Sequence, residues 1–580
     1  MKKIAVALIL AGVVGLTAYA PDYRPFSHPL AKDQEILHAL NRLTFGPRPG
    51  DVEAVRKMGL KQWMDQQLHP ERIAENPEMI ARLKPLESLH MSAEEIATNY
   101  PPPVVVQAMI NGLLPLPKDP EERARVELQA QRLRAAQEAK GGNENGGRLK
   151  VPKGKGDGLF QQANRQQILA ATDPVERRKL IADNTPQQVL PYDLNEGKLY
   201  RAIYSNRQLE EQMVDFWFNH FNVYLDKGAD RILISSFERD AIRPHVFGKF
   251  RDLLGATAQS PAMLFYLDNW QSVAPDRAQE NQRGRFAKQF AKQKGKQARG
   301  LNENYARELM ELHTLGVEGG YTQQDIIEVA RCFTGWTIDQ PNRGGEFIYN
   351  DRVHDKGEKL VLGLKIPAGG GREDAERVLD ILARHPSTAR FIATKLAKKF
   401  VADDPPPSLI ERMAKTFRDT DGDIRAVMTT MIDSKEFFSD GAYRAKVKTP
   451  LELVVSAVRA TNAQVDFSVP LATQIAQLGQ PLYRKIEPTG YSSDNSEWVN
   501  SAALLARMNF ALALTANRVP GSKVDAGVFD IDAATVARQL LFQDPTRQTL
   551  DSIEKALALR DPTPALTAGL VLGSPDFQRR

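Results

Sequence analysis

Apolar side chains recur at three- and four-residue spacing along most of this 580-residue chain, and that period constrains its fold more than any other feature. Asp33 to Phe45 sets Ile36, Leu37, Leu40 and Leu43 on one side of a helix, and Val52 to Leu68 continues likewise. The period returns over Asn206–Leu225, Glu238–Gly255, Pro261–Asn269, Asn302–Leu315 and Thr322–Thr334. It resumes at Arg372 and runs, with breaks, to Leu559. Thr322 is placed to cap its helix, with Asp325 in the first turn where negative charge suits the helix dipole. One β feature interrupts the pattern. Glu346–Asn350 and Lys359–Leu362 flank the polar connection Asp351–Glu358 and read as a short hairpin. The expected fold is mainly α, a multi-helical globular array with one short β-hairpin near residues 346–362.

Composition narrows the class. With 42% hydrophobic and 26% charged residues, the chain is neither disordered nor collagenous nor a multi-span membrane protein. Its one cysteine, Cys332, excludes an intrachain disulfide and a cysteine-based zinc or iron–sulfur site. Met1-Lys2-Lys3, the uncharged run Ile4–Ala20 and the small-residue end Ala18-Tyr19-Ala20 read as a secretory signal peptide. Pro21 obstructs cleavage after Ala20, so an uncleaved anchor with the same export direction is the alternative. The expected location is periplasmic or secreted, with membrane contact only through an uncleaved segment. The net charge of +5 falls to about +3 without Lys2 and Lys3, which gives no general argument for nucleic acid.

The regions expected are 1–20, a signal peptide; 21–118, helical; 119–160, a charged helix and Gly/Lys-rich linker or insertion; 161–365, a central helical region with the hairpin; and 366–580, helical. The linker lies at Gly141–Gly158, and Asn281–Gly300 is a basic stretch with no acid. That stretch reads as a solvated loop or, alternatively, as a site for an anionic polymer or lipid headgroups.

No G-x-S-x-G, H-E-x-x-H, P-loop or G-x-G-x-x-G motif occurs, which weakens the α/β-hydrolase, zincin, P-loop enzyme and Rossmann dehydrogenase readings. Asp419–Asp423 lacks the EF-hand spacing and reads as a turn with Asp423 capping the next helix. Three further constellations carry chemistry. His220 follows Trp217 and Phe216 at helical spacing, either as an acid–base group or ligand tuned by burial, or as a core histidine bonded to a carbonyl. Asn304, Arg307, Glu308 and Glu311 share a helix face, as acid–base machinery, metal ligands or an ion-pair network. His313 points away from Glu308 at regular helical pitch and is the weaker candidate. His354 and Asp355, with Gly357 free to take a positive φ, either reach a cleft or merely close an Asx-turn.

Asn302–Leu312, then Thr314-Leu315-Gly316, Tyr321-Thr322 and Phe333-Thr334-Gly335-Trp336, resemble a bacterial family called domain of unknown function 1800. Leu40–Pro47, Met213–Phe221, His354-Asp355 with Gly357 and Lys359, Lys446–Glu452, Trp498–Phe510 and Gly573–Gln578 agree in order, over roughly residues 33–580. The resemblance implies an exported, mainly helical protein of unestablished activity. It also implies a partner family, domain of unknown function 1501, which looks like the alkaline-phosphatase superfamily. Family members often carry two histidines in the aromatic helix. Phe218 stands at the first place here, which removes one ligand if those histidines bind metal.

Two functions are expected from these features. One is an accessory protein of envelope or extracellular-polymer processing with an alkaline-phosphatase-like partner. The other is a periplasmic or secreted hydrolase or lyase with His220 or His354 as acid–base group, Glu308, Glu311 and Asp355 as carboxylates, and Asn304 and Arg307 orienting substrate. Cofactor and metal are left undefined by the residues.

Overall fold

A computed structural model describes residues 22–101, 103–138, 166–275, 300–559 and 561–580. The signal segment, the Gly141–Gly158 linker and residues 281–299 of the basic stretch lie outside them. The fold is mainly α. Its helices bury apolar stripes against one continuous hydrophobic core that draws on residues from Phe26 to Phe577. A small separate cluster, Val106, Val126 and Ala130, joins helices Pro103–Ile110 and Pro120–Glu138. No described helix is long and apolar enough to cross a membrane.

Local chemistry sets most helix ends. Thr322 caps Gln323–Cys332 in a full capping box with Asp325, and Asp423 caps Ile424–Ile432 by accepting the Ala426 N–H at 2.9 Å. The expected helix Val52–Leu68 is two, Asp51–Met58 and Leu60–Leu68, because Gly59 takes a φ of 95° between them. The expected helix Glu238–Gly255 is also broken. Helix Asp230–Ser236 runs into a π-helical segment, Phe237–Ile242, and Phe250–Gln259 starts afresh after Lys249. A second π-helical segment, Leu309–Thr314, continues helix Glu303–Glu308.

The strands form three antiparallel pairs among the described residues. The expected pairing of 346–350 with 359–362 does not form. β1 (Trp336–Ile338) pairs with β2 (Phe347–Tyr349), and β3 (Lys359–Val361) pairs with β4 (Leu364–Ile366). Leu362 and Gly363 both have positive φ, the two-residue turn geometry that folds β3 straight back. β5 (Gln464–Val465) pairs with β6 (Ser522–Lys523).

Helix Pro386–Phe400 packs against Pro407–Asp419 and the π-helical segment Leu309–Thr314. Helix Gln208–His220 packs against Lys32–Leu43 and Leu60–Leu68. Ring contacts of His220 with His313 and Phe391 bring the two assemblies together.

Candidate functional site

Leu209, Met213, Trp217 and His220 recur on one face of helix Gln208–His220, so core packing carries the imidazole inward with the apolar side chains. His220 is buried among Phe216, Trp217, Phe221 and Phe391. Its Nε2 lies 3.1 Å from the His313 carbonyl oxygen, and its buried Nδ1 has no partner among the described residues. A carbonyl oxygen only accepts, so the proton sits on Nε2 and Nδ1 keeps a lone pair. Burial, then the charge of Lys395, hold His220 well below its ordinary pKa. It is a neutral imidazole.

His220 also lines a cavity of about 220 Å³. Five cations line it, Lys395, Lys398, Lys399, Lys446 and Arg580, against three carboxylates, Asp215, Glu452 and Asp494. Thr449-Pro450-Leu451-Glu452 forms a capping box at the start of helix Pro450–Ala460. The Glu452 carboxylate also takes Lys399 at 2.7 Å and Arg580 at 2.9 Å. Burial opposes its ionisation, yet Arg580 and Lys399 hold its pKa below the ordinary range. Backbone bonds between Lys446 and Arg580 bring the second cation there. Asn219 pins the opposite wall, donating to the Tyr491 carbonyl at 2.8 Å and accepting the Tyr491 N–H at 2.7 Å.

Pairing exhausts the other charges. Lys398 meets Asp494 at 3.4 Å, Lys446 meets Asp403, and Asp215 is taken by Lys198 at 3.0 Å. Lys395 alone among the lining cations has no carboxylate within 4 Å among the described residues. Its Nζ lies 5.4 Å from the centroid of the Phe391 ring. Burial pulls its pKa down to about 8. Its charge, second to burial, helps push His313 down to about 3. A charged lysine beside two neutral imidazoles attracts anions and repels metal cations. Among the described residues no group of three or more His, Cys, Asp or Glu side chains is arranged to hold a metal.

Of the seven residues singled out in the sequence, only His220 lines this cavity. Asn304 is exposed without a partner among the described residues; the capping oxygen belongs to Asn302, which accepts the Tyr305 N–H at 3.1 Å. Arg307 reaches Gln323 at 2.9 Å and Glu303 at 4.0 Å. Glu311 accepts the Tyr321 hydroxyl at 3.2 Å. Burial first, then Glu311, raises the pKa of Glu308.

His354 and Asp355 belong to another arrangement. His354 is bonded through Nδ1 to the Thr334 carbonyl oxygen at 2.7 Å and faces Asp374 at 3.3 Å. Lys359 donates to Asp374 at 2.6 Å, and the side chains of all three are fully enclosed. Asp355 closes an Asx-turn onto Gly357 at 2.8 Å and takes a two-pronged contact from Arg331 at 2.9 and 3.0 Å. Burial opposes its ionisation, but Arg331 and the Gly357 amide keep its pKa low. Gly357 has no positive φ; a side chain there would strike the Arg331 guanidinium.

Lys395 and His313 are the residues that sequence reasoning missed or set aside. Helix Pro386–Phe400 carries Arg390, Lys395, Lys398 and Lys399 and no acid, a readable signal for the first. His313 lies in the π-helical segment, whose five-residue register a regular helical projection does not anticipate.

A family model described as a protein of unknown function (DUF1800) matches residues 38–579. The chain belongs to that family. No curated protein and no solved structure matches it. In this DUF1800 chain two segments that carry the resemblance, Met213–Phe221 and Lys446–Glu452, meet across the cavity.

Proposed function

We propose that this protein is exported to the periplasm or beyond and is accessory to envelope or extracellular-polymer processing, alongside an alkaline-phosphatase-like partner. Its part is to hold an anionic group of that material in the cavity between His220 and Lys395. The observation that carries this reading is Lys395, a partly buried ammonium that lines the cavity and has no carboxylate within 4 Å among the described residues. Leaving such a charge unpaired costs stability, and a bound anion offsets that cost. The test is binding of acidic polysaccharide fragments and teichoic-type polyphosphates to the purified protein, with Lys395→Met as comparator. A loss of at least tenfold on substitution supports the reading; unchanged binding overturns it.

A second reading is a hydrolase or lyase, favoured by His220, a neutral imidazole that lines the same cavity. A neutral imidazole can take a proton from a substrate, and Lys395 can stabilise the negative charge that develops. Glu308, Glu311, His354 and Asp355 do not line this cavity and have no part in that chemistry. Product release from the same polymers, abolished by His220→Phe, is the expected signature.

A further inference from the structure

A smaller cavity, of about 30 Å³, is lined by Asn41, Tyr443, Arg444, Lys448, Gln543 and Arg580 among others. It shares Arg580 with the Lys395 cavity but not Lys395, so it stands apart from the anion-binding reading above.

Three buried cations in this region, Arg42, Lys448 and Arg507, have no carboxylate within 4 Å among the described residues. Glu452 acts on all three, and it is already bonded to Lys399 at 2.7 Å and Arg580 at 2.9 Å. Five cations thus draw on Glu452, and buried charge left uncompensated is costly. A guanidinium keeps its proton, so of the three only Lys448 can shed its charge.

Lys448 Nζ lies 3.7 Å from the centroid of the Phe577 ring. A ring face steadies an N–H but brings no counter-charge. Nζ is unpartnered among the described residues and is not sealed off; Lys448 borders the cavity. Burial first brings its pKa down to about 7; Arg580, Arg444 and Arg507 add to this and Glu452 opposes it. At neutral pH much of Lys448 is therefore a free amine, the nucleophilic form.

The space holds about two water molecules, at about 15 Å³ of free volume each. It admits a molecule of three or four atoms and excludes a sugar or an activated acyl donor. Among electrophiles that small, formaldehyde leaves the nitrogen neutral or positive and isocyanic acid gives a neutral urea. Carbon dioxide enters uncharged and leaves a negative charge where the region lacks one.

We propose that Lys448 is a carbon dioxide site, its side chain held as a carbamate beside Arg444 and Arg580. The Nζ lone pair attacks the carbon, an N–C bond forms as one C–O π pair moves onto oxygen, and an N–H proton leaves to solvent. The Asn41 and Gln543 amide nitrogens on the same lining are without partners among the described residues and can donate to the carbamate oxygens. The ionisable groups on the lining are His38, Tyr443, Arg444, Asp576, Arg579 and Arg580, with Glu452 and Arg507 outside it. Burial holds His38 neutral, and Asp576 and Glu452 are held charged, so Lys448 carries the pH dependence from 6 to 8.

The experiment equilibrates the full-length protein with ¹³C-bicarbonate at fixed dissolved carbon dioxide, at pH 6 and pH 8. Carbamates are trapped by ethylation with triethyloxonium, and the peptides are read by mass spectrometry. The Lys448 peptide is expected to carry at least tenfold more label than those of exposed Lys32 and Lys61. That label is expected to be greater at pH 8 than at pH 6, and to disappear when labelling is done on the chain unfolded in urea. Label at Lys448 no greater than at Lys32 and Lys61, or equal in urea, overturns the proposal. Melting midpoints separate the adduct from a bound anion. Bicarbonate is expected to raise the wild-type midpoint above that in chloride or nitrate at equal ionic strength, and to leave Lys448→Met unmoved. A shift that chloride or nitrate matches overturns the carbamate. Trapping reads the wild-type chain and so decides even where Lys448→Met misfolds.

Discussion

At position 395 an ammonium stands beside two neutral imidazoles with no carboxylate within 4 Å among the described residues. Such a residue trades stability for binding. Lys395→Met is therefore expected to stabilise the ligand-free protein at pH 7 by about 1–3 kcal/mol, read as a raised denaturation midpoint. The sign with pH follows from the pKa of about 8 in the fold against 10.5 unfolded. Below about 8 both states are charged and the whole penalty is present. Between about 8 and 10.5 the unfolded chain binds more protons, so wild-type stability rises with pH and the gain from Lys395→Met shrinks. The titrating and charged neighbours are His220, His313, Lys398, Lys399, Lys446, Arg580, Asp215, Glu452 and Asp494. A gain that does not change from pH 7 to 10 would contradict this account of Lys395.

Among the elements, β3 shows how a pattern misleads. Lys359 points inward and Leu360 outward, the reverse of what residue polarity suggests, because Lys359 reaches Asp374 while Val361 fills the core. Asp374→Asn leaves an enclosed ammonium with no counter-charge and is expected to cost about 3–5 kcal/mol. The folded fraction should still bind anions at the Lys395 cavity as before, since His354, Lys359 and Asp374 lie outside its lining. Denaturant titration and binding on one sample separate the two effects. Helix Gln323–Cys332 gives a smaller, local case. Thr322 caps it, and the partner Asp325 also accepts the Leu362 N–H at 2.8 Å. Thr322→Ala is expected to cost about 1 kcal/mol, seen as a lower melting midpoint with unchanged anion affinity.

Over the whole molecule, one core joins segments from both ends of the chain, and its buried histidines make stability depend on acid. His313 falls to about 3 and His220 is also depressed, against an ordinary 6.5. Above about 6.5 both are neutral in either state. As pH falls from there toward about 3, the unfolded chain takes up protons that the folded one refuses, so stability falls with pH. Urea midpoints from pH 7 to 4 should decline steadily, and less steeply in His313→Phe. A flat profile would mean that these imidazoles are not held neutral.

The helical class was legible in the spacing of Ile36, Leu37, Leu40 and Leu43, and the caps at Thr322 and Asp423 in residue type alone, because these interactions span four residues or fewer. His220 was legible as an imidazole among aromatics for the same reason. Strand partners were not. Leu362-Gly363 turns β3 onto β4 through a backbone geometry that a leucine does not advertise. Nor was the lone charge. Each lysine of helix Pro386–Phe400 looks alike in sequence, and only the approach of Glu452 to Lys399 and Asp494 to Lys398 leaves Lys395 as the one without a carboxylate among the described residues. Short-range periodicity and capping thus determined what the segments are. Desolvation and Coulomb forces depend on neighbours brought in from distant parts of the chain, so the tertiary structure decided which charge is free to receive a ligand.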